Sequence, residues 1–539
     1  MKIALYHGYE LGGSGSNEYT RYLAHTLAKL GHEVMVVCAD KEPETYPFVS
    51  RAVAYDLEGN PTELFSREPA AGCAPISLHQ LPRTSVYPVF LTDKQREGVV
   101  KAFPEMTDAE IAEYHGAMSA TLERALRDEK PDILHANHLV YQPIVAAEAC
   151  AKTGTPFYTV PHGSSIEYTV NADERFKKAA KRALEATGGL AWIAREVRDR
   201  VYKLYPDIEQ SLRDKSHMVG VGTDTSLFEP LPKAKRRAAL DELAGMFRAG
   251  GKTPEQRAEL CAALDEGDIE ATRRYWSAYN QKVEDADLPE LLANIPVEGD
   301  ADILFFVGAM TYGKGIQSLI AAMPGVLAKR PDAHLVLVGS GTYREVLEGL
   351  AHALASGNLA LFDKLVAKGK DLERQTMSGP LEDLQAYAAT DSGRATLAEH
   401  GPKLAGRVHF LGRLDHPRLR CIFPCAHVGV FPSVIKEASP LVFMEALSNG
   451  VLPSGSYHSG LRDGLDDLEP HLPAEIWRHM KLPIEPEGRV AGIADNLAAL
   501  LGALRERDLG PSLRELAVSR YDWVAVAQKM VDIADKIVD

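Results

Sequence analysis

Residues 2–39 read KIALYHGYELGGSGSNEYTRYLAHTLAKLGHEVMVVCA, and this stretch decides the fold. Lys2–His7 and Glu33–Ala39 are short, almost continuously apolar runs. Between them Tyr19, Tyr22, Leu23, Thr26, Leu27 and Leu30 recur at three- and four-residue spacing, which predicts a helix over Asn17–Leu30 ended by Gly31. Apolar runs on either side of an amphipathic helix predict a βαβ unit with parallel strands buried on both faces. The turn after the first strand, Gly8 to Ser16, is rich in glycine. Glycine lets a backbone approach a ligand closely, and the helix that follows offers free N–H groups to an anion. The turn lacks G-x-G-x-x-G spacing, and only Asp40 stands where a ribose-binding carboxylate would, so a dinucleotide fingerprint is weak.

The same rhythm runs outward. Apolar runs recur at Asp132–His135, Phe157–Pro161, Gly189–Ala194 and His217–Val221. It restarts at Ile303–Val307 and continues through His334–Val338, Val408–Gly412, His427–Pro432 and a weaker Gly450–Pro453. A helix is predicted over Gly315–Lys329, with Ile316, Leu319, Ile320, Met323 and Leu327 on one face. The fold class expected is α/β, with two Rossmann-like parallel-sheet domains facing a central cleft and carrying helical insertions. The expected division is an N-terminal acceptor-side domain at 1–229, a helical insertion or linker at 230–300, and a second Rossmann-like domain at 301–511. A further insertion falls at 350–406. The strongly helical 513–538 is expected to cross back to the N-terminal domain as part of 512–539. The insertions read either as solvated helical decoration or as an oligomer contact or a wall beside the acceptor.

The chain has 539 residues, enough for two to four domains at ~150 residues each. It is 45% hydrophobic and 25% charged, the composition of a globular protein rather than a disordered one. With 60 Lys and Arg against 75 Asp and Glu, the net charge of −15 argues against a partner held by phosphate neutralisation, so no nucleic acid is expected. It also gives no indication of membrane association. No run approaches the ~20 apolar residues of a membrane helix, and the N-terminus lacks the apolar core of a signal peptide, so a cytoplasmic location is expected. The six cysteines form no C-x-x-C pair, and no structural metal is implied.

The most specific stretch for chemistry is FPSVIKEASPLVFMEALSNG, residues 431–450. It leaves a strand, opens a helix near Leu441, and sets two carboxylates, Glu437 and Glu445, around that turn. Carboxylates accept hydrogen bonds from diols, and a helix N-terminus between them suits a diphosphate. On spacing alone, a helix-dipole role for Glu445 and a solvated Glu437 are equally good readings.

The segment resembles the E-x7-E motif of family 4 retaining glycosyltransferases of the GT-B fold. The resemblance extends along most of the chain: the glycine loop after Tyr6, LGHEVMVV at 30–37, DILHANH at 132–138, VPHG at 160–163, VGVGTDTSLF at 219–228, FVGAMTYGKG at 306–315 and RYDW at 520–523. Only the two helical insertions are unmatched. The resemblance implies that Glu445 holds the ribose of the nucleotide and Glu437 the hydroxyls of the donor sugar. Lys314 would neutralise the departing diphosphate, and the amides of Leu441 and Val442 would cradle its oxygens. His162 would lie near the anomeric or C6 region of the sugar, with Gly12 and Gly13 approaching the phosphates or the acceptor. His162, Lys314 and Glu437 are thus the expected catalytic residues. His135, Asn137 and His138, with Tyr141 and the stretch Arg83–Arg96, are expected on the acceptor side. Arg83, Lys94 and Arg96 would suit an acidic acceptor, although surface ion pairs explain them equally.

Four positions depart from the family pattern. Ala309 replaces an Arg that would be a second phosphate cation; either another cation such as Arg413 replaces it or leaving-group stabilisation is weaker. Pro440 replaces a Gly, Ser439 an aromatic, and Ser459-Gly460 a Gly-Gly pair. The D-x-D spellings at Asp285–Asp287 and Asp300–Asp302 sit outside any strand-to-helix turn and read as solvated carboxylates, so no metal is expected. The reaction implied is metal-independent transfer of a hexose, with retention, from a nucleoside-diphosphate sugar (UDP by family frequency) to a small-molecule, glycan or lipid hydroxyl, without a further cofactor. The alternatives are a catalytically weak nucleotide-sugar-binding or scaffold protein, and a phosphorylase or epimerase of the same fold. A homo-oligomer through the insertions is one of their two readings, and the sequence does not fix the oligomeric state.

Overall fold

The computed structural model describes the chain except residues 14, 91–98, 249, 277–278, 374–376 and 539, so Lys94 and Arg96 lie outside the described residues. It consists of two compact units: Met1–Gly222 together with Arg520–Asp539, and Thr223–Ser519. The first boundary therefore falls at residue 222 rather than 229, and the return at 520 rather than 512. Residues 230–300 belong to the second unit.

The first unit is built on a nine-stranded sheet. Its strands are β1 (Lys2–Tyr6), β2 (Glu33–Cys38), β3 (Arg51–Tyr55), β4 (Pro61–Ser66), β5 (Ile76–Gln80), β8 (Ile133–Asn137), β9 (Phe157–Val160), β10 (Gly189–Trp192) and β11 (Ser216–Met218), while β6 (Tyr87–Val89) and β7 (Val100–Ala102) pair separately. The sheet order is β11-β10-β9-β8-β1-β2-β5-β3-β4, parallel except for β4 at the edge. The predicted first helix is Gly15–Lys29, and it buries Tyr19, Leu23 and Leu27. Strands β3, β4 and β5 were not foreseen. Ile76–Gln80 is interrupted by polar residues, β4 is mostly exposed, and the apolar part of Arg51–Tyr55 is only the four residues Ala52–Tyr55, too short to mark a strand by itself.

The second unit has the strands β12 (Asp302–Val307), β13 (Ala333–Val338), β14 (Val408–Phe410), β15 (Val428–Phe431), β16 (Leu452–Ser456) and β17 (Lys481–Leu482). Every pairing is parallel, in the order β14-β13-β12-β15-β16-β17. Read from β12 this is the 3-2-1-4-5-6 order of a doubly wound sheet, which reverses direction between β12 and β15. The helix Ile316–Lys329 follows β12, and its predicted apolar face is buried.

Three expectations need correction. The terminal segment is not one helix: Gly510–Leu516 ends in a wide turn at Ala517–Tyr521, and a separate helix, Trp523–Val538, belongs to the first unit. Trp523 there stacks on Tyr22 and meets Tyr19 edge-on. The insertions are not solvated decoration. Helices Pro254–Asp265, Arg344–Ala355 and Leu359–Lys368 enclose fully buried charges, with Lys252 Nζ 3.1 Å from Glu345 and also bonded to Glu348. Nor are the D-x-D carboxylates all solvated. Asp285 is buried and accepts both guanidinium nitrogens of Arg344 at 2.7 and 2.5 Å, with Arg257 at 3.0 Å. Asp287 also pairs with Arg257, and Asp302 is buried against Arg330 and Arg505. Asp300 alone is exposed, beside Lys233. Isolated acidic pairs read as surface because nothing local reveals their distant cations.

Candidate functional site

In the second unit the reversal of strand order sets the loops after β12 and β15 side by side, at the carboxyl ends of the strands. The loop after β12 carries Lys314 in a single tight turn, Tyr312–Lys314. Gly315 ends that turn at φ +71°, and a Cβ there would lie 1.7 Å from the carbonyl oxygen of Pro432, so only glycine lets the two loops approach. The carbonyl of Gly313 then accepts the amides of Val434 and Ile435 at 2.9 and 3.2 Å.

This contact brings Lys314 to Glu437. The ammonium donates to Oε1 at 2.6 Å, and Ser433 Oγ donates to the same oxygen at 2.8 Å. Burial alone would push the Glu437 carboxyl up. The charge of Lys314 and the two hydrogen bonds outweigh it and hold the group below the ordinary carboxylate range. Ser459, at φ +48°, accepts the Glu437 amide on its Oγ at 3.0 Å, and the amide of Gly460 donates to the Glu437 carbonyl at 2.8 Å. The two residues expected to work apart, one on phosphate and one on sugar, are therefore joined as an ion pair.

The helix Leu441–Ser448 begins directly after Pro440. The first amides of a helix, those of Leu441 and Val442 here, have no partner within it and point out of its N-terminus. Glu445 lies one turn further in and is 4% exposed. Its Oε1 is 3.3 Å from His416 Nε2, and its buried Oε2 has no partner among the described residues. A buried carboxylate oxygen left open is an acceptor for a ligand hydroxyl. Arg489 secures this end of the sheet, donating to the Pro432 carbonyl at 2.6 Å and to Ser456 Oγ at 3.4 Å. Arg413 is exposed at the end of β14, and Ala309 is exposed after β12. Among the described residues no cluster of three His, Cys, Asp or Glu is placed to hold a metal ion.

In the first unit His135, Asn137, His138 and His162 gather towards the carboxyl ends of β8 and β9, whereas Tyr141 is bonded to His115 at 2.8 Å and Arg83 is not joined to them. Asn137 Oδ1 is 3.1 Å from Nε2 of both His135 and His162, and its amide donates to Thr20 Oγ1. His138, at φ +69°, stacks on His7 and lies 4.7 Å from His162. Burial, with neighbouring imidazoles, pushes His162 down to about 3 and His138 well below its ordinary value; burial likewise takes His7 and His135 to about 4. All four rings are neutral at pH 7. Gly12 and Gly13 belong to the same neighbourhood, since Asn17 donates to the Gly12 carbonyl and faces His7 at 2.9 Å. Asp40 is no ribose ligand: it is buried and accepts Leu11 N at 2.9 Å and Tyr46 Oη at 2.8 Å, bracing the glycine loop.

Ser433, His416 and Arg489 were not singled out from the sequence. Ser433 stands four residues before Glu437, a proximity that could have flagged it. The other two lie 29 residues before and 44 after Glu445, with no spacing to give them away.

Residues 14–207 match the model of the glycosyl transferase 4-like domain, and residues 289–362 that of the glycosyl transferases group 1. An uncharacterized glycosyltransferase of Methanocaldococcus jannaschii is 44% identical over 240 residues, 44% of this chain and 46% of that one. A phosphatidyl-myo-inositol mannosyltransferase of Mycobacterium tuberculosis is 28% identical over 159 residues, 29% of this chain and 39% of the relative. The chain thus spans less than half the length of the curated relatives it matches. A sucrose-phosphate synthase from Thermosynechococcus elongatus shares the fold with a TM-score of 0.55 at 18% identity, covering 99% of this chain and 98% of the other. With its two doubly wound units and both domain matches in order along the sequence, the chain belongs to the family 4 glycosyltransferases of the GT-B fold.

Proposed function

We propose that the protein transfers a hexose, with retention of configuration, from a nucleoside-diphosphate sugar to an acceptor hydroxyl. The observation that carries this reading is the buried Glu445 with one open carboxylate oxygen, one turn inside a helix whose N-terminus follows the Lys314–Glu437 pair. Glu445 Oε2 takes a ribose hydroxyl and the helix N-terminus takes the diphosphate. The arriving phosphate draws Lys314 from Glu437, which frees that carboxylate for the sugar hydroxyls. A charge-assisted bond from Lys314 contributes about 1.5–3 kcal/mol, and more as negative charge builds on the leaving group. Lysine and helix N-terminus supply the positive charge, so the reaction runs without a metal ion. As the bond between the anomeric carbon and the phosphate oxygen breaks, the phosphate oxygen accepts the proton of the acceptor hydroxyl, whose own oxygen bonds to the anomeric carbon on the same face. The neutral histidines and Asn137 in the first unit suit a hydroxyl acceptor. The mannosyltransferase relative makes mannose a sugar to try beside glucose.

Calorimetric titration with UDP, GDP and ADP in chelator tests the site. One nucleotide should bind, and Glu445→Ala should weaken it by about tenfold or more, the value of a charged hydrogen bond. Lys314→Ala should cut turnover by at least about tenfold. Failure of all three nucleotides to bind refutes the transferase reading. Binding without transfer to any acceptor would favour a nucleotide-sugar-binding protein instead, a reading supported by Ala309 and the exposed Arg413.

A further inference from the structure

We propose that Glu373, within the second helical insertion, is a positioning residue that holds the turn after β12 and so sets where Lys314 stands; this rests on the glycosyltransferase reading for its effect on turnover. Glu373 is 4% exposed. Both its oxygens lie 3.2 Å from the amide of Tyr312, and Oε1 accepts Thr342 Oγ1 at 2.8 Å. No cation pairs with it among the described residues, and burial raises its pKa above the ordinary carboxylate range. Burying a carboxylate without a countercharge is unfavourable, so a residue serving only to fill space there would be apolar.

What the carboxylate grips is the first residue of the turn that carries Lys314. The rest of that loop has little freedom. Met310 exchanges backbone bonds with Ser340 and Tyr343 at 2.9 Å, and a Cβ on Gly339 or Gly341 would strike the backbone of Gly308 or Met310. At the far end Gly315 and Gly313 are locked to Pro432, Val434 and Ile435, the segment that leads to Glu437. At the near end Glu373 anchors the Tyr312 amide, while Gln317 donates to the Tyr312 carbonyl at 3.3 Å. The insertion itself is fixed beside it, because Tyr343 Oη donates to the Gly369 carbonyl at 3.0 Å and Asp383 accepts Ser318 Oγ in the helix that follows the turn. A stretch of chain outside both family matches thus reaches into the backbone of the donor site.

The test combines amide hydrogen exchange and a double-mutant cycle on the full chain. Glu373→Ala should speed exchange in peptides covering residues 308–315 and lower kcat about tenfold or more, with a smaller change in donor KM, as a misplaced catalytic group does. Glu373→Gln keeps an acceptor for Tyr312 and should restore most of both. In a Lys314→Ala background the effect of Glu373→Ala on kcat should vanish, because both act through one group. Unchanged exchange, a Gln variant no better than Ala, or a loss that persists in full without Lys314 overturns the proposal. Should Glu373→Ala not fold, Thr342→Val, which removes only the hydroxyl donor, should raise exchange in the same peptides, and no rise overturns it. If the wild-type chain transfers no sugar, the transferase reading fails separately, and exchange alone decides whether Glu373 holds the turn.

Discussion

Gly460 shows how little latitude a single residue has beside the donor site. A Cβ there would lie 1.7 Å from the carbonyl oxygen of Ala438 and 2.8 Å from that of Glu437. Its neighbour Ser459 occupies a left-handed conformation unusual for serine, and its hydroxyl caps the Glu437 amide. Gly460→Ala must therefore push the 437–440 segment away, separating Glu437 from Lys314. The expected outcome is a stability loss of about 1–3 kcal/mol with weakened donor binding, measurable by denaturant titration and calorimetry. A fully stable variant with unaltered binding would show that this approach is not needed. At this scale the sequence pointed to Glu437 and Glu445 through their spacing. It could not reveal that Glu437 is already paired, or that His416 backs Glu445, because those partners are set by distant strands.

Among the elements, the insertions depart furthest from their sequence reading. Lys252, Arg344, Glu345 and Asp285 are all 0–1% exposed, and they join the loop before Pro254–Asp265 to the helix Arg344–Ala355 and to Asp285. A sequence of alternating Lys, Arg, Glu and Ala ordinarily marks a solvated helix face. Whether opposite charges instead face one another depends on how the helices pack, which periodicity does not encode. Removing Lys252 leaves Glu345 buried with no cation among the described residues, held only by the Tyr279 hydroxyl at 2.8 Å. Lys252→Ala should cost about 3–5 kcal/mol in chemical denaturation. A loss below about 1 kcal/mol, typical of exposed pairs, would mean the network contributes little.

For the whole molecule, the histidines give stability a defined pH dependence. Burial pushes His7, His79 and His135 down to about 4 and His162 to about 3 in the first unit, and His334, His409 and His427 to about 4 in the second. The unfolded chain takes up these protons near 6.5 and the folded chain only near 4, so their contribution is complete above 6.5 and is lost as pH falls towards 4. His352 works in the opposite sense. Hydrogen bonds to Cys261 and Asp265 raise it to about 9, so its contribution is present below 6.5 and disappears as pH rises through 9. Thermal unfolding followed from pH 4 to 9 should give the highest midpoint near neutrality, with the steeper fall on the acid side. A midpoint that stays level between pH 6.5 and 4.5 would contradict the buried, neutral state of these rings.

The sequence by itself determined the two parallel-sheet units, the helix that follows each first strand, the glycine loops and the pair of glutamates. All of these are local: they follow from apolar runs, helical spacing and turns that tolerate only glycine, each written within a few tens of residues. Tertiary structure alone decided the pairing of Lys314 with Glu437 across 123 residues, the burial of Asp285, the strands β3 to β5 and the grip of Glu373 on Tyr312. Such contacts depend on which strand ends are made neighbours by the order of the sheet. That order is a property of how the whole chain packs its apolar faces, and no single stretch of it carries the information.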